Sequence, residues 1–275
     1  MGGRQGGGMT RRLVLLTNDD GVNAPGLMAL KAELDRVAQV EVYAPDRNWS
    51  AASRTRTFHK PLRMDEVRLL DGTTGHVSSG APSDCVSLAL LGLLKQRPEL
   101  VVSGINAGVN AGEDITYSGT VAAAMEGARA GILAIAISAD VGGETSEPAN
   151  YTPAARFCSC LVAFLLESAP LPAGTLLNVN VPRLPAGRPP VVKLTRLGGQ
   201  AYSNYLVTGE DPRGRSYYWI TGDPLTEIPP KEEGTDIWAL ANGFISITPI
   251  HLDMTEYALL ERLQGWESRS WTEGV

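Results

Sequence analysis

Short unbroken apolar runs alternate along the chain with segments whose apolar residues recur every three or four positions. The run Leu13–Thr17 is followed by residues 25–37, where Leu27, Leu30, Leu34 and Val37 fall at helical spacing. Residues 40–44, 76–79, 100–103, 132–138 and 176–181 read as further strands. Between them, residues 83–94, the alanine-rich stretch 119–130 and residues 154–167 read as helices. Strand runs that are continuously apolar, not alternating, belong to strands buried on both faces. The pattern therefore predicts an α/β fold: a mostly parallel, doubly wound Rossmann-like sheet with helices on both faces. Ligands of such sheets lie beyond the carboxyl ends of the strands, where the strand order reverses.

After Pro189 the texture changes. Residues 191–197, 217–221 and 244–248 are strand-like and separated by Gly, Pro and charged turns, which reads as hairpins before a closing helix near 257–266. This part carries Trp219, Trp238, Trp266, Tyr202, Tyr205, Tyr217 and Tyr218. Such an aromatic arm either packs on itself or forms a subunit interface, where aromatics are enriched. The expected division is a glycine-rich flexible tail over 1–11 and one domain over 12–275. Within that domain the α/β core covers about 12–188 and the β-rich arm with its helix about 189–268.

Composition narrows the function classes. A chain of 275 residues with 43% hydrophobic and 20% charged residues is an ordinary globular protein. A formal net charge of −6 argues against sequence-independent binding to a nucleic-acid polymer. No apolar run is long enough to span a bilayer, and the start of the chain lacks a secretory signal, so no membrane association is expected. Cys85, Cys158 and Cys160 form neither a disulfide framework nor a zinc site, and read as small buried residues on helices in a reducing, cytoplasmic compartment. His59, His76 and His251 are scattered and read as structural.

Three polar loops fall at predicted strand ends: Thr17-Asn18-Asp19-Asp20-Gly21, Ala44-Pro45-Asp46-Arg47-Asn48-Trp49-Ser50 and Ser103-Gly104-Ile105-Asn106-Ala107-Gly108-Val109-Asn110. Two adjacent carboxylates repel each other, and a hard cation such as Mg2+ or Mn2+ held by Asp19, Asp20 and neutral oxygens of Ser50 and Asn106 relieves that repulsion. An isolated Asp-Asp-Gly more often caps a helix, but two further polar loops at neighbouring strand ends favour the cation. Ser118, Gly119 and Thr120 open the alanine-rich helix, where N–H groups and hydroxyls serve equally as a phosphate site or an ordinary cap. The Walker loop, the dinucleotide fingerprint and the G-x-S-x-G elbow are all absent.

These residues carry a resemblance. TNDDG with APG, then APDRNxS, then SGINxGxNxGxDxxYSGTVxAAxEG resemble the SurE family of stationary-phase survival proteins. The similarity continues through Pro82-Ser-Asp-Cys-Val86, Asn178-Val-Asn-Val-Pro182 and Gly234-Thr-Asp. It implies a divalent-metal-dependent nucleotidase with one Mg2+ or Mn2+ per subunit and a C-terminal arm used in dimer or tetramer assembly. The implied metal ligands are Asp19, Asp20, Ser50 and Asn106, with Asp19 and Asp20 catalytic. The implied phosphate and substrate contacts are Asn18, Asn110, Ser118, Gly119 and Thr120. The expected reaction is hydrolysis of nucleoside monophosphates by a metal-activated water, as a 5'-nucleotidase, with 3'-nucleotidase and exopolyphosphatase activity also within the expectation. Two rivals are a non-catalytic nucleotide-binding protein and a haloacid-dehalogenase-type phosphatase, the latter disfavoured because Asn18 replaces the first aspartate of D-x-D. Ala51 stands where the family commonly has Gly, and Trp49 where it commonly has a polar residue.

Overall fold

A computed structural model of the chain describes residues 11–142, 148–167, 171–184, 189–199, 202–224, 232–269 and 271. The glycine-rich tail lies outside the described residues, apart from Arg11. Six strands build the predicted α/β half: β1 (Leu13–Thr17), β2 (Gln39–Pro45), β4 (Thr74–Ser78), β5 (Leu100–Ala107), β6 (Leu133–Ala139) and β7 (Leu176–Val181). All of them pair in parallel, in the order β4-β2-β1-β5-β6-β7. An antiparallel edge strand, β3 (Met64–Arg68), joins β4.

Two hydrophobic clusters cover the two faces. On one face α1 (Pro25–Leu34) and α4 (Thr152–Glu167) pack Leu27, Leu30, Leu34, Cys158 and Val162 against Val14, Leu16, Val102 and Ile135. On the other, α2 (Pro82–Leu88) and α3 (Gly119–Arg129) pack Val86, Val121, Ala124 and Ala128 against Leu15, Val101, Ala134 and Leu176. Alternate residues of the central strands supply the two clusters, so β1, β6 and β7 are buried along nearly their whole length, and the helices on both faces are as expected.

The part after Pro189 divides differently from the expected arm. β8 (Val192–Leu194) and β11 (Ile245–Ile250) extend the core sheet past β7, with β11 antiparallel to β7 and β8 parallel to β11. They form no hairpin. β9 (Tyr202–Glu210) and β10 (Ser216–Pro224) form a separate two-stranded antiparallel ribbon. The short α5 (Asp236–Ala241) precedes β11, and the closing helix α6 (Tyr257–Leu263) comes after it. Among the described residues no helix is long and apolar enough to cross a membrane. Cys85 and Cys158 are buried as expected, whereas Cys160 is exposed on α4, because the helix turns it away from the sheet.

Candidate active site

β1 lies between β2 and β5, which leave it in opposite directions across the sheet, so its carboxyl end is the topological switch point. The turn after β1 is closed by Asn18, whose amide donates to Gly21 O at 2.9 Å and accepts from Gly21 N–H at 3.2 Å. Asn18 is fully buried, and its amide holds the turn. Gly21 takes φ +103, and a Cβ there would lie 3.3 Å from the Arg47 carbonyl carbon.

The turn projects Asp19 inward and leaves Asp20 half-buried. Thr120 Oγ1 donates to Asp19 Oδ1, and the Thr120 N–H also donates to this carboxylate. The start of α3 thus receives an anion of the protein itself, as its dipole favours. Thr120, expected at the phosphate, bonds Asp19 through its hydroxyl. Gly119 allows the approach, since a Cβ there would sit 2.8 Å from Asp19 Oδ2. Ser118 caps α3, its Oγ accepting from Val121 N–H at 3.1 Å.

Asp20 gathers the other two loops. Asn48 Nδ2 donates to Asp20 Oδ1 at 3.1 Å, and the Ala107 N–H donates to the same carboxylate. Trp49 N–H donates to Asp19 O at 2.7 Å, and Ser50 N–H to Asn48 Oδ1 at 2.7 Å. Asn106 gives its Nδ2 to Gly108 O at 2.8 Å, which leaves its carbonyl oxygen as the ligand-type atom. The loops carrying Asp19, Asp20, Ser50 and Asn106 therefore converge through named hydrogen bonds.

Burial raises the Asp19 pKa against the bonds from Thr120. Asp20 is pushed up to about 6, first by burial and then by the Asp19 charge, against the Ala107 bond. Among the described residues no Lys or Arg makes an ion pair with either carboxylate. The pair is thus negative charge short of a partner, which a hard divalent cation matches. Among the described residues no three His, Cys, Asp or Glu side chains come together as a metal cage, so a cation at this pair would need neutral oxygens as well.

Asn110 is fastened from four directions. Its N–H donates to Asn180 Oδ1 at 2.8 Å and its Nδ2 to Ser138 Oγ at 2.7 Å, while its carbonyl accepts from Asn178 and Asn180, both at 2.8 Å. Ser138, Asn178 and Asn180 thus build the site from behind, and the sequence signal for the last two is the polar residues that Asn178-Val-Asn180 places at alternate positions of a buried strand. Asp236, fully buried, accepts from Gly112 N–H at 2.8 Å and from Gly198 N–H at 2.7 Å, fixing the end of the same loop. A further unforeseen group is Glu126 on α3, 3% exposed, bonded to Arg54 and Arg129 at 3.1 Å each. Through Arg54 it holds the chain just beyond Ser50. His76 stacks on Tyr43, and His59 and His251 are exposed, so no histidine enters the site.

Fold and site together define a Rossmann-like α/β protein with an acidic pair and two asparagine-rich loops at its switch point. The chain belongs to the SurE family: the family model described as Survival protein SurE matches residues 14–204. A relative from Herpetosiphon aurantiacus, named 5'-nucleotidase SurE, is 48% identical over 250 residues, covering 91% of this chain and 96% of its own. One of the same name from Chloroflexus aggregans is 45% identical over 257 residues, covering 92% of this chain and 98% of its own. The crystal structure of the SurE protein from Aquifex aeolicus superposes with a TM-score of 0.78 at 41% identity, covering 93% of this chain and 99% of that one. The resemblance drawn from the motifs is borne out.

Proposed function

We propose that this chain is a divalent-metal-dependent phosphomonoesterase that hydrolyses nucleoside 5'-monophosphates to nucleoside and phosphate. The observation that carries this reading is the Asp19–Asp20 pair, unpaired by cations and held open at the switch point by Thr120, Asn48 and Ala107. The name 5'-nucleotidase SurE borne by relatives of full length supports it.

Asp19, Asp20, Ser50 and Asn106 would hold the cation, Mg2+ or Mn2+, one per subunit. Bound there, it supplies a Lewis acid for a phosphoryl oxygen and lowers the pKa of water. The chain's own residues do the rest. Thr120 and Asn48 fix the two carboxylates in place before substrate arrives, so little reorganisation remains for the reaction. The N–H of Gly119 and the Ser118 hydroxyl present donors to a phosphate at the start of α3. Asn110, immobilised by Ser138, Asn178 and Asn180, offers the second hydrogen of its side-chain amide to a phosphate oxygen. Asp19 and Asp20 orient the attacking water. A phosphoaspartate route is disfavoured because position 18 is an amide, bonded to Gly21, where that route needs an aspartate nucleophile.

We also assign the ribbon β9–β10 to assembly as a homodimer or homotetramer. Trp219 is 66% exposed and Ile220 82%, and as neighbours on a strand they point to opposite faces, so both faces are apolar and uncovered. An isolated two-stranded ribbon is marginal alone, and a second copy of the chain would cover it. The unpaired cysteines fit a cytoplasmic setting.

The test is phosphate release from p-nitrophenyl phosphate and a nucleotide panel with Mg2+, Mn2+ or EDTA. Metal-dependent release is expected, with 5'-monophosphates best; no turnover of any substrate at saturating Mn2+ would leave the non-catalytic nucleotide-binding rival standing. Light scattering on the intact chain and on one lacking the ribbon tests the assembly.

A further inference from the structure

A cavity of about 140 Å3 opens on the carboxyl edge of the sheet beyond β6 and β7, lined by Asp140, Asn150, Pro148, Pro153, Pro182 and Arg183 among others. It adjoins the loop of Asn110 directly. Gly108 N–H donates to Ala139 O at 2.8 Å, and Asn110 is bonded to Ser138 and Asn180, the residues just before the cavity wall on both strands. Its lining includes the ends of β6 and β7, two to three strand spacings from β1, or roughly 10–14 Å. That offset suits the sugar and base of a nucleotide whose phosphate sits at the start of α3.

We propose that this cavity is the base subsite and that it selects guanine, through Asp140 and Arg183. The inference rests on the nucleotidase reading and names the substrate class within it. Three prolines give flat, rigid, apolar surfaces suited to the faces of a planar ring. The polar groups are paired across the strand ends. Arg183 Nη2 lies 3.6 Å from Asp140 Oδ1, an ion pair too long for a hydrogen bond, so the pair is held together while its donors and acceptors remain for a ligand. Among the described residues Asp140 accepts a single hydrogen bond, from Gly142 N–H at 3.2 Å, and Arg183 makes none. The backbone behind them is pinned, with Asp140 N–H donating to Val181 O at 2.9 Å and Asn150 N–H to Val141 O at 3.1 Å.

An arginine beside a carboxylate presents donor, acceptor, acceptor in sequence. Guanine offers the complement along one edge: O6 accepts, while N1–H and the exocyclic amine donate side by side to the two carboxylate oxygens. Hypoxanthine keeps the first two contacts and loses the amine. Adenine offers an amine where Arg183 needs an acceptor, and uracil sets a second carbonyl against the carboxylate. The order expected is therefore guanosine, then inosine, then adenosine monophosphate. Side-chain exposure of 53% for Asp140 and 69% for Arg183 keeps each step moderate.

The experiment measures kcat/KM of the Mn2+-loaded enzyme for guanosine, inosine and adenosine 5'-monophosphates, with p-nitrophenyl phosphate as a base-free monoester. Ratios within one enzyme cancel any general change in turnover. The wild-type guanosine-to-inosine ratio should be about five to ten, the effect of one charge-assisted hydrogen bond at an exposed site. Asp140→Asn should bring it to about one, by replacing an acceptor with a donor. Arg183→Ala should collapse the inosine-to-adenosine ratio. The subsite is refuted if the nucleotides are hydrolysed but these ratios stay put in both variants, or if the wild type treats all three bases alike. Should the wild type turn over neither nucleotides nor p-nitrophenyl phosphate, the nucleotidase reading fails and the subsite with it.

Discussion

Thr120 Oγ1 on α3 donates a hydrogen bond to Asp19 Oδ1 at the end of β1, joining two residues 101 positions apart. The bond makes the helix start a support for the carboxylate, and it bears on catalysis through position. Thr120→Val is expected to lower kcat by about tenfold or more, since small displacements of a reacting group cost up to about a hundredfold. Asp19→Asn is expected to abolish metal-dependent release of phosphate while the protein stays folded. Gly119→Ala should resemble Thr120→Val, because its Cβ would lie 2.8 Å from Asp19 Oδ2. Steady-state kinetics beside circular dichroism separate these outcomes from unfolding.

The acidic pair predicts a pH dependence with a defined sign. In the metal-free protein Asp20 is pushed up to about 6 and Asp19 is raised as well, so the folded state binds more protons than the unfolded one between roughly pH 4 and 6. Stability of the metal-free protein should therefore fall as pH rises through that window. Mn2+ must displace the proton, so its affinity should be level above about pH 6 and fall by about tenfold per unit below it. Asp20→Asn should raise the metal-free Tm at pH 7 and remove the stabilisation by Mn2+. Thermal scans and Mn2+ titrations over pH 5–8 read both effects.

Arg54 and Glu126 clamp the chain beyond Ser50 to α3, with the Glu126 side chain 2% exposed and the Arg54–Glu126 contact at 3.1 Å. Arg56 bonds Ser87 at 2.8 Å and Thr57 N–H bonds Asp84 at 3.1 Å, extending the clamp to α2. Arg54→Ala is expected to destabilise by about 1–3 kcal/mol, since Arg129 still partners the buried carboxylate. It should also weaken Mn2+ binding through a loosened Ser50. Faster hydrogen exchange confined to the residues after Ser50 would identify the clamp; uniform protection would refute it.

Ala51 adopts φ 57, a left-handed conformation that L residues other than glycine rarely take. Its neighbour Ser50 is among the proposed metal ligands. Ala51→Gly should stabilise the folded state by about 1 kcal/mol by removing the Cβ clash, less what is lost to the freer unfolded chain. Chemical denaturation checks this, and metal affinity should be unchanged or slightly higher.

Legibility tracked burial. Strands β1, β5, β6 and β7 are legible because each carries consecutive buried apolar residues. Strand β5 nevertheless runs past Gly104 to Ala107 through a register shift, whereas glycine read as its end. The helix expected over 83–94 stops as regular α-helix at Leu88, and Gly92 at φ 141 breaks the turn beyond it. Strand β3, Met-Asp-Glu-Val-Arg, has no signal in the sequence because an exposed edge strand carries no buried run. β8 and β11 read as hairpins because their turns are local, while their true partners, β7 and each other, are distant in sequence.

The sequence by itself determined the doubly wound class, the three polar loops, the family and the residue types gathered at the switch point. Periodicity and turn chemistry are local, and they survive in a single line of letters. Only the tertiary structure decided which groups face one another. It turned Thr120 onto Asp19, withdrew Asn18 into its own turn, and brought Asn178, Asn180 and Asp236 from the far end of the chain to hold the loop of Asn110. It also set Arg183 beside Asp140 at the rim of a cavity. Hydrogen bonds of that kind depend on strand order and register, which arise when distant segments pack, and so they leave no period in the sequence.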